Sequence, residues 1–437
     1  MILSRSLLFA VVPLCLSLFA CSSDDTTNAS GGNSGSAGSG GSSGTSGAGG
    51  TAGSSGSSGS SGAAGSAGSV ASDLDGILAE LRANRDAALL AHSSVSGWPV
   101  PLSSGYLFVS TDLTLSKVAG DHDSWAGTDM AIDTTFAWVV IDVSAGDSYK
   151  FTDGTTYAAD AWARSYTYDS FGEISLVKPT VSHLDRFVGV GDSNLEPRDL
   201  RVWVPEGGAD RVLYVHDGQN LFDPNAPWGG WKLQDTVPAK MMLVGIDNTP
   251  ARMDEYTHVT DDISGQTLGG KGDQYAALLK STVRPLIQQH YGEPSKRGVM
   301  GSSLGGLISF HLADHDPGDF MFAASLSGTM GWGSIGTNVH NQTMIERYAA
   351  HGHGSTALYL DSGGTNGPCA DTDNDGIEDD IDQGDNFCEN AQMHQTLLDA
   401  GYVENVDVFY WFEDGGQHNE ANWAARVFRP LGIFAGM

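Results

Sequence analysis

Hydrophobic and polar positions follow several different rhythms along the chain, and each change of rhythm marks a new part. An apolar run covers Leu7 to Phe19, behind the single basic residue Arg5. It is shorter than a comfortable membrane span and has the layout of an export signal. Residues 26–69 have no apolar rhythm, and only Asn28 and Asn33 depart from Gly, Ser, Ala and Thr. Such a segment cannot bury enough surface to offset its ordering entropy. Helical spacing then appears in Leu74, Ile77, Leu78, Leu81 and Ala88, with Arg85 interrupting the stripe. This predicts a helix over residues 72–92, capped by Ser72 or Asp73. From about 97 to 178 the runs are short and strand-like, such as Gly105 to Val109 and Ala137 to Val143, divided by Gly, Asp and Ser turns. They predict a small β-sandwich.

Past residue 180 the order becomes β/α. Strand-like runs at 200–204, 212–215, 242–246, 298–300, 356–360 and 406–411 alternate with helical stretches at 273–291 and 389–400. Apolar strands between helices predict a mostly parallel sheet covered on both faces. The expected organisation is therefore an export signal over 1–21, a disordered tether over 22–70, a helix plus sandwich over 71–179 and an α/β domain over 180–437.

Composition narrows the choice of partners. Of 437 residues, 53 are acidic and 22 basic, giving a net charge of −31. A nucleic-acid binder needs a basic footprint, so this class is excluded. The signal ends in Leu18-Phe19-Ala20-Cys21, which resembles a bacterial lipobox. That resemblance implies a lipidated Cys21 as mature N-terminus, and Ser22 after it implies the outer membrane or cell surface as destination. With Cys15 and Cys21 assigned to the signal, Cys369 and Cys388 remain, and in an exported chain they are expected to form a disulfide.

The sharpest chemical motif is Gly301-Ser302-Ser303-Leu304-Gly305, between an apolar strand and an apolar helix. This is G-x-S-x-G in the context of a nucleophile elbow, where glycines let the backbone present a serine hydroxyl on a strained turn. A serine needs a base. His418 follows the last predicted strand, as the Ser…Asp…His chain order requires; His216, at the end of an earlier strand, is its competitor.

The stretches VLYVHDGQNLFD, VGIDNTPARMDEYT, GSSLGGLISFHLADHDPGDF and GGQHNEANWAARV together resemble the Putative esterase family. It takes in enterochelin esterases, feruloyl and acetyl-xylan esterases and mycolyl transferases. The resemblance implies an α/β-hydrolase fold, Ser303 as nucleophile and His418 as base. It also implies oxyanion donors from the backbone of Leu304 and of Gln219 or Gly218, Gln219 being preferred. Arg252 and Glu255 are expected in structural ion pairs. At the family's acid position this chain has Gly367, followed by an insertion. Candidates for the acid are Asp385, favoured because it just precedes a helix, then Asp361 and Asp371. Water completing the reaction makes the protein an esterase; an acceptor alcohol would make it an acyltransferase. A non-catalytic, glycan-binding surface lipoprotein is the alternative of another class. The expected substrate is a small-molecule or polysaccharide-linked ester, with the membrane engaged only through the lipid.

Residues 120–151 resemble an immunoglobulin-like early-set domain, through Gly120 to Trp125, Met130, Trp138 and Tyr149 to Phe151. Its tryptophans are expected chiefly in packing; the resemblance allows glycan contact through exposed aromatics. Within the insertion, Asp371, Asp373, Asp375, Asp379 and Asp382 fall at positions 1, 3, 5, 9 and 12 of a calcium loop, with Gly376 at 6 and the Ile377 carbonyl at 7. A structural Ca²⁺ is expected there, and no cofactor for catalysis. Asp385 lies three residues past Asp382, so the same loop is expected to help place it.

Overall fold

A computed structural model describes residues 70–437 other than 293, 337–338 and 381–383. The expected signal, the tether and Cys21 lie outside the described residues, as does Asp382. Past residue 180, eight of the described strands make the main sheet: β1 His183–Val190, β2 Arg198–Val204, β3 Arg211–His216, β4 Met241–Ile246, β5 Lys296–Ser302, β6 Phe322–Leu326, β7 Ala357–Gly364 and β8 Val408–Phe412. They lie in the order 1-2-4-3-5-6-7-8, antiparallel at β1–β2 and β2–β4 and parallel beyond. Alternate residues of β3 feed opposite faces: Val212 and Tyr214 join one core, Leu213 and Val215 the other. Both faces of β3 are thereby apolar and buried, which is why it reads as a continuous hydrophobic run.

The helix expected at 72–92 is two helices, Leu74–Ala83 and Arg85–Val95. Asn84 is extended between them, at φ −158°, and its side chain caps the second by accepting from Ala87. The interruption of the stripe at Arg85 is thus a true break. Asp73, rather than Ser72, caps the first helix through the Gly76 N–H. Both helices pack on Leu107 and Val109 of a four-stranded antiparallel sheet and on Trp98 and Phe136 beside it. The opposite face of that sheet, with Phe108 and Ala137, meets Val118, Tyr149 and Phe151 of a second sheet. These two sheets make the expected sandwich.

The second sheet does not end at the expected boundary near 180. The sandwich strand Ser165–Asp169 pairs with β1 through Tyr166–Leu184 and Ser165–Asp185, so one sheet runs through both regions. Arg164 lies 3.7 Å over the Phe187 ring, Arg186 lies 4.4 Å over Tyr166, and Ser165 and Tyr291 both donate to Asp185. The two regions form one compact unit. Trp98 is buried, but Trp125 lines a cleft of about 720 Å³ together with Tyr157, Phe171, Lys150, Asp121 and Asp169.

Candidate active site

Ser303 sits between β5 and the helix Leu304–His315 at φ 55°, ψ −125°, a backbone conformation that an L-residue occupies only under strain. The turn persists because its surroundings fix it. The Ser303 N–H donates to Leu326 O at the end of β6, and the Ser303 carbonyl accepts from Gly306 and Leu307. A Cβ on Gly301 would lie 2.6 Å from the Gly305 backbone, and one on Gly306 would lie 2.2 Å from Ser325 Oγ. Both glycines are therefore required by close approach.

The expected base and its favoured acid meet at the ends of β7 and β8. His418 Nδ1 bonds Asp385 Oδ1 at 2.7 Å, which leaves its Nε2 for other work. The Trp423 ring stands edge-on to the imidazole, 4.9 Å between centroids. Asp385 is not held by the insertion alone. Its residue pairs with Gly363 of β7, and its Oδ2 accepts from Gly363 N at 2.7 Å, Ser327 Oγ at 2.5 Å and Arg426 Nη2 at 2.9 Å. Burial works to raise this carboxyl, but His418, Arg426 and Ser327 prevail and hold it below its ordinary value. The His418 loop is fastened to the same strand end by Gly364 N to Gly416 O and Gly415 N to Gly364 O.

Of the other candidates for the acid, Asp361 is fully buried beneath this group, paired with Arg426 Nε at 2.9 Å and accepting from Tyr359 at 2.8 Å. Asp371 is exposed in the insertion. His216 is no rival base. It is buried among Tyr256 and Tyr275, bonds the Tyr275 hydroxyl at 2.9 Å, and burial pushes it down to about 3. Ser303 and His418 are not hydrogen-bonded to each other in this structure. Such contacts commonly tighten only around a substrate.

The loop after β3 turns sharply at Asp217, φ 59°, into the short 3-10 turn Gly218–Asn220. Asp217 makes two bonds of 2.8 Å to Arg252 and accepts from Asn248 at 2.7 Å. Burial raises its carboxyl and Arg252 more than offsets this, so it stays below the ordinary range. Glu255 pairs instead with Arg198, both fully buried. Arg252 and Glu255 are thus each in an ion pair, with different partners. Gln219 is fixed by its side chain, which accepts from Asn248 N at 3.1 Å. The backbone N–H groups of Gln219 and Leu304 have no acceptor among the described residues. Preorganised N–H donors of this kind stabilise an oxyanion.

The expected disulfide Cys369–Cys388 is present and closes the insertion. Carboxylate oxygens of Asp371, Asp373 and Asp375 lie within 4.8 Å of one another, and Gly376 has the positive φ, +94°, of its loop position. Burial and the neighbouring aspartates raise the Asp373 carboxyl. Asp379 does not join the cluster; its carboxylate accepts from the Thr372 N–H and hydroxyl, because its backbone is drawn into a ladder with Ala370. Ile377 is buried by its side chain. Sequence reasoning missed Ser327 and Arg426. Ser327 carries no local motif, whereas Arg426 lies three residues after Trp423 on one helix face and so was within reach of spacing arguments.

The strand order and the strained serine between β5 and its helix define an α/β-hydrolase. The family model described as "Putative esterase" matches residues 195–432, more than half of the chain, and the chain belongs to that family. It is 26% identical over 234 residues to the uncharacterized protein YbbA of Bacillus subtilis, covering 52% of this chain and 86% of that one. Among solved structures it is similar to an IroE-like serine hydrolase from Shewanella oneidensis, at 19% identity and TM-score 0.43, covering 58% of this chain and 79% of the other. It is also similar to the enterobactin esterase FES of Shigella flexneri, at 14% identity and TM-score 0.42, covering 76% and 93%.

Proposed function

We propose that the protein is a serine esterase working through a Ser303–His418–Asp385 triad. The observation that carries this reading is the 2.7 Å bond from His418 to a buried carboxylate, at the sheet end where Ser303 is presented. Ser303 Oγ attacks the ester carbonyl carbon while its proton passes to His418 Nε2. The tetrahedral oxyanion is met by the N–H groups of Leu304 and Gln219. The carbon–oxygen bond to the alcohol then breaks, and the alcohol leaves with the proton from His418. Water repeats the sequence on the acyl-enzyme and releases the acid. Ser303→Ala should lower kcat about 10⁶-fold with the fold intact. Ester-hydrolysis assays and fluorophosphonate labelling test this; an active, unlabelled Ser303→Ala protein would overturn it. Transfer to an acceptor alcohol is the runner-up, read out as transesterified product.

The substrate class proposed is a small-molecule or polysaccharide-linked ester. For the polysaccharide case the first region is read as an early-set domain whose cleft at Trp125, Tyr157 and Phe171 receives sugar faces. Loss of polysaccharide retardation in Phe171→Ala, with small-ester hydrolysis unchanged, is the outcome expected. Export as a lipoprotein anchored through Cys21 is proposed from the sequence, and Cys21→Ala should move the protein from the membrane to the soluble fraction. A structural Ca²⁺ in the insertion is proposed on the grouping of Asp371, Asp373 and Asp375. A ligand role for Asp379 would need its carboxylate to leave Thr372. Isothermal titration should show Ca²⁺ binding that Asp373→Asn abolishes.

A further inference from the structure

The triad acid shares one guanidinium with a second buried carboxylate. Arg426, 2% exposed at its side chain, bonds Asp385 Oδ2 through Nη2 and Asp361 Oδ1 through Nε, each at 2.9 Å. Its Nη2 also donates to Ser327 Oγ, which donates in turn to Asp385. Trp423 Nε1 donates to the same Ser327 oxygen at 3.0 Å. One cation thus lies between two carboxylates that are at most 1% exposed; burial pushes Asp361 up to about 6 against the pull of Arg426, so it carries its charge above that pH. Buried charges need such pairing.

The arrangement poses an electrostatic problem. Asp385 serves His418 by offering negative charge to the imidazolium that forms during catalysis. An arginine on the far oxygen of Asp385 would cancel much of that charge if it stood alone. We propose that Arg426 and Asp361 are positioning residues of the triad: Arg426 fixes the orientation of Asp385, and Asp361 neutralises Arg426 so that His418 still faces a full negative charge. The proposal rests on the triad reading given above. The other titratable groups around the pair are Tyr359, Tyr410 and Arg429, with Glu420 two residues beyond His418. Burial keeps Tyr359 and Tyr410 neutral, and Glu420 accepts from Asn220.

A purely structural ion pair and a charge-balancing one differ in the pH profile. The test compares kcat/KM against pH for the wild type, Asp361→Asn, Arg426→Lys and the double variant Asp361→Asn/Arg426→Gln. Asp361→Asn leaves the arginine charge uncompensated, so His418 gives up its proton more readily. The acidic limb should move down by about 0.5–1 pH unit, and kcat should fall roughly tenfold. Removing the charge of Arg426 as well should return the limb to its wild-type position. Arg426→Lys keeps the charge and loses the shared bonds, so kcat should fall while the limb stays. Should Asp361→Asn be too unstable to assay, the same shifts are read as the His418 titration by NMR in a Ser303→Ala background. An unmoved limb in Asp361→Asn, or a double variant that does not return it, overturns the proposal. Asp385→Asn is the separate control: an acidic limb and kcat unchanged there would overturn the triad reading itself.

Discussion

At the scale of single residues, the site is set by close approach and by buried charge. Gly306 faces Ser325 Oγ and Gly328, so Gly306→Ala should cost roughly 1–3 kcal/mol by overpacking and shift the elbow. Thermal melting together with kcat checks both effects. His216 supplies a pH-dependent term. Burial is the main cause that holds it down to about 3, with Arg252 adding to it and Asp217 opposing. Its unfolded value lies near 6.5. Its contribution is therefore full above pH 6.5 and is lost as pH falls from there toward 3, by roughly 1.4 kcal/mol per pH unit. His216→Gln does not titrate, so its stability deficit against the wild type should shrink between pH 7.5 and 5 in denaturant titrations. Ser303 and His418 were legible because each lies in a short local motif beside a strand. The partner of the imidazole was harder to read, since Asp361, Asp371 and Asp385 all follow one strand in sequence and only the fold shows which carboxylate bonds His418. Ser327 acts through a contact 58 residues away in sequence, which no local pattern encodes, whereas helical spacing from Trp423 reaches Arg426 but not its contact with Asp385, 41 residues away.

At the scale of elements, the insertion after β7 returns to the strand it left. Gly384 and Asp385 pair with Gly364 and Gly363, and Asp385 takes its other bonds from Ser327, Arg426 and His418. The described residues of the acidic loop bond instead to one another, to Ser334 and to Gln392. Among the described residues, those of that loop make no bond to Asp385. Ca²⁺ should therefore raise Tm with concentration and leave kcat unchanged, which a thermal-shift series run beside an activity assay resolves. Reducing Cys369–Cys388 should lower Tm, since the bond closes a 19-residue separation. Strand and helix identities were readable from period, but ends were not. The helix pair split at Asn84 illustrates why: a single extended residue that caps the second helix leaves the hydrophobic spacing nearly intact.

At the scale of the whole molecule, the composition change near 180 reads as a domain boundary, but the sheet crosses it. Backbone pairing across 165–185 leaves no trace in local pattern, because it depends on which strand edge remains open after the sandwich forms. The described region should unfold in one calorimetric transition, and a chain beginning at residue 180 should be markedly less stable than one beginning at 70. Two separate transitions would count against a single unit. The continuous sheet also bears on inheritance. Arg164 with Phe187, Tyr166 with Arg186, and Ser165 with Asp185 are fitted across the seam. A gene that exchanged its first region for another would strand Arg186, Asp185 and Phe187 without their partners. Recombination at this seam is thus penalised, and the two regions should descend together, with substitutions at 164–166 matched by substitutions at 185–187 in the same lineage.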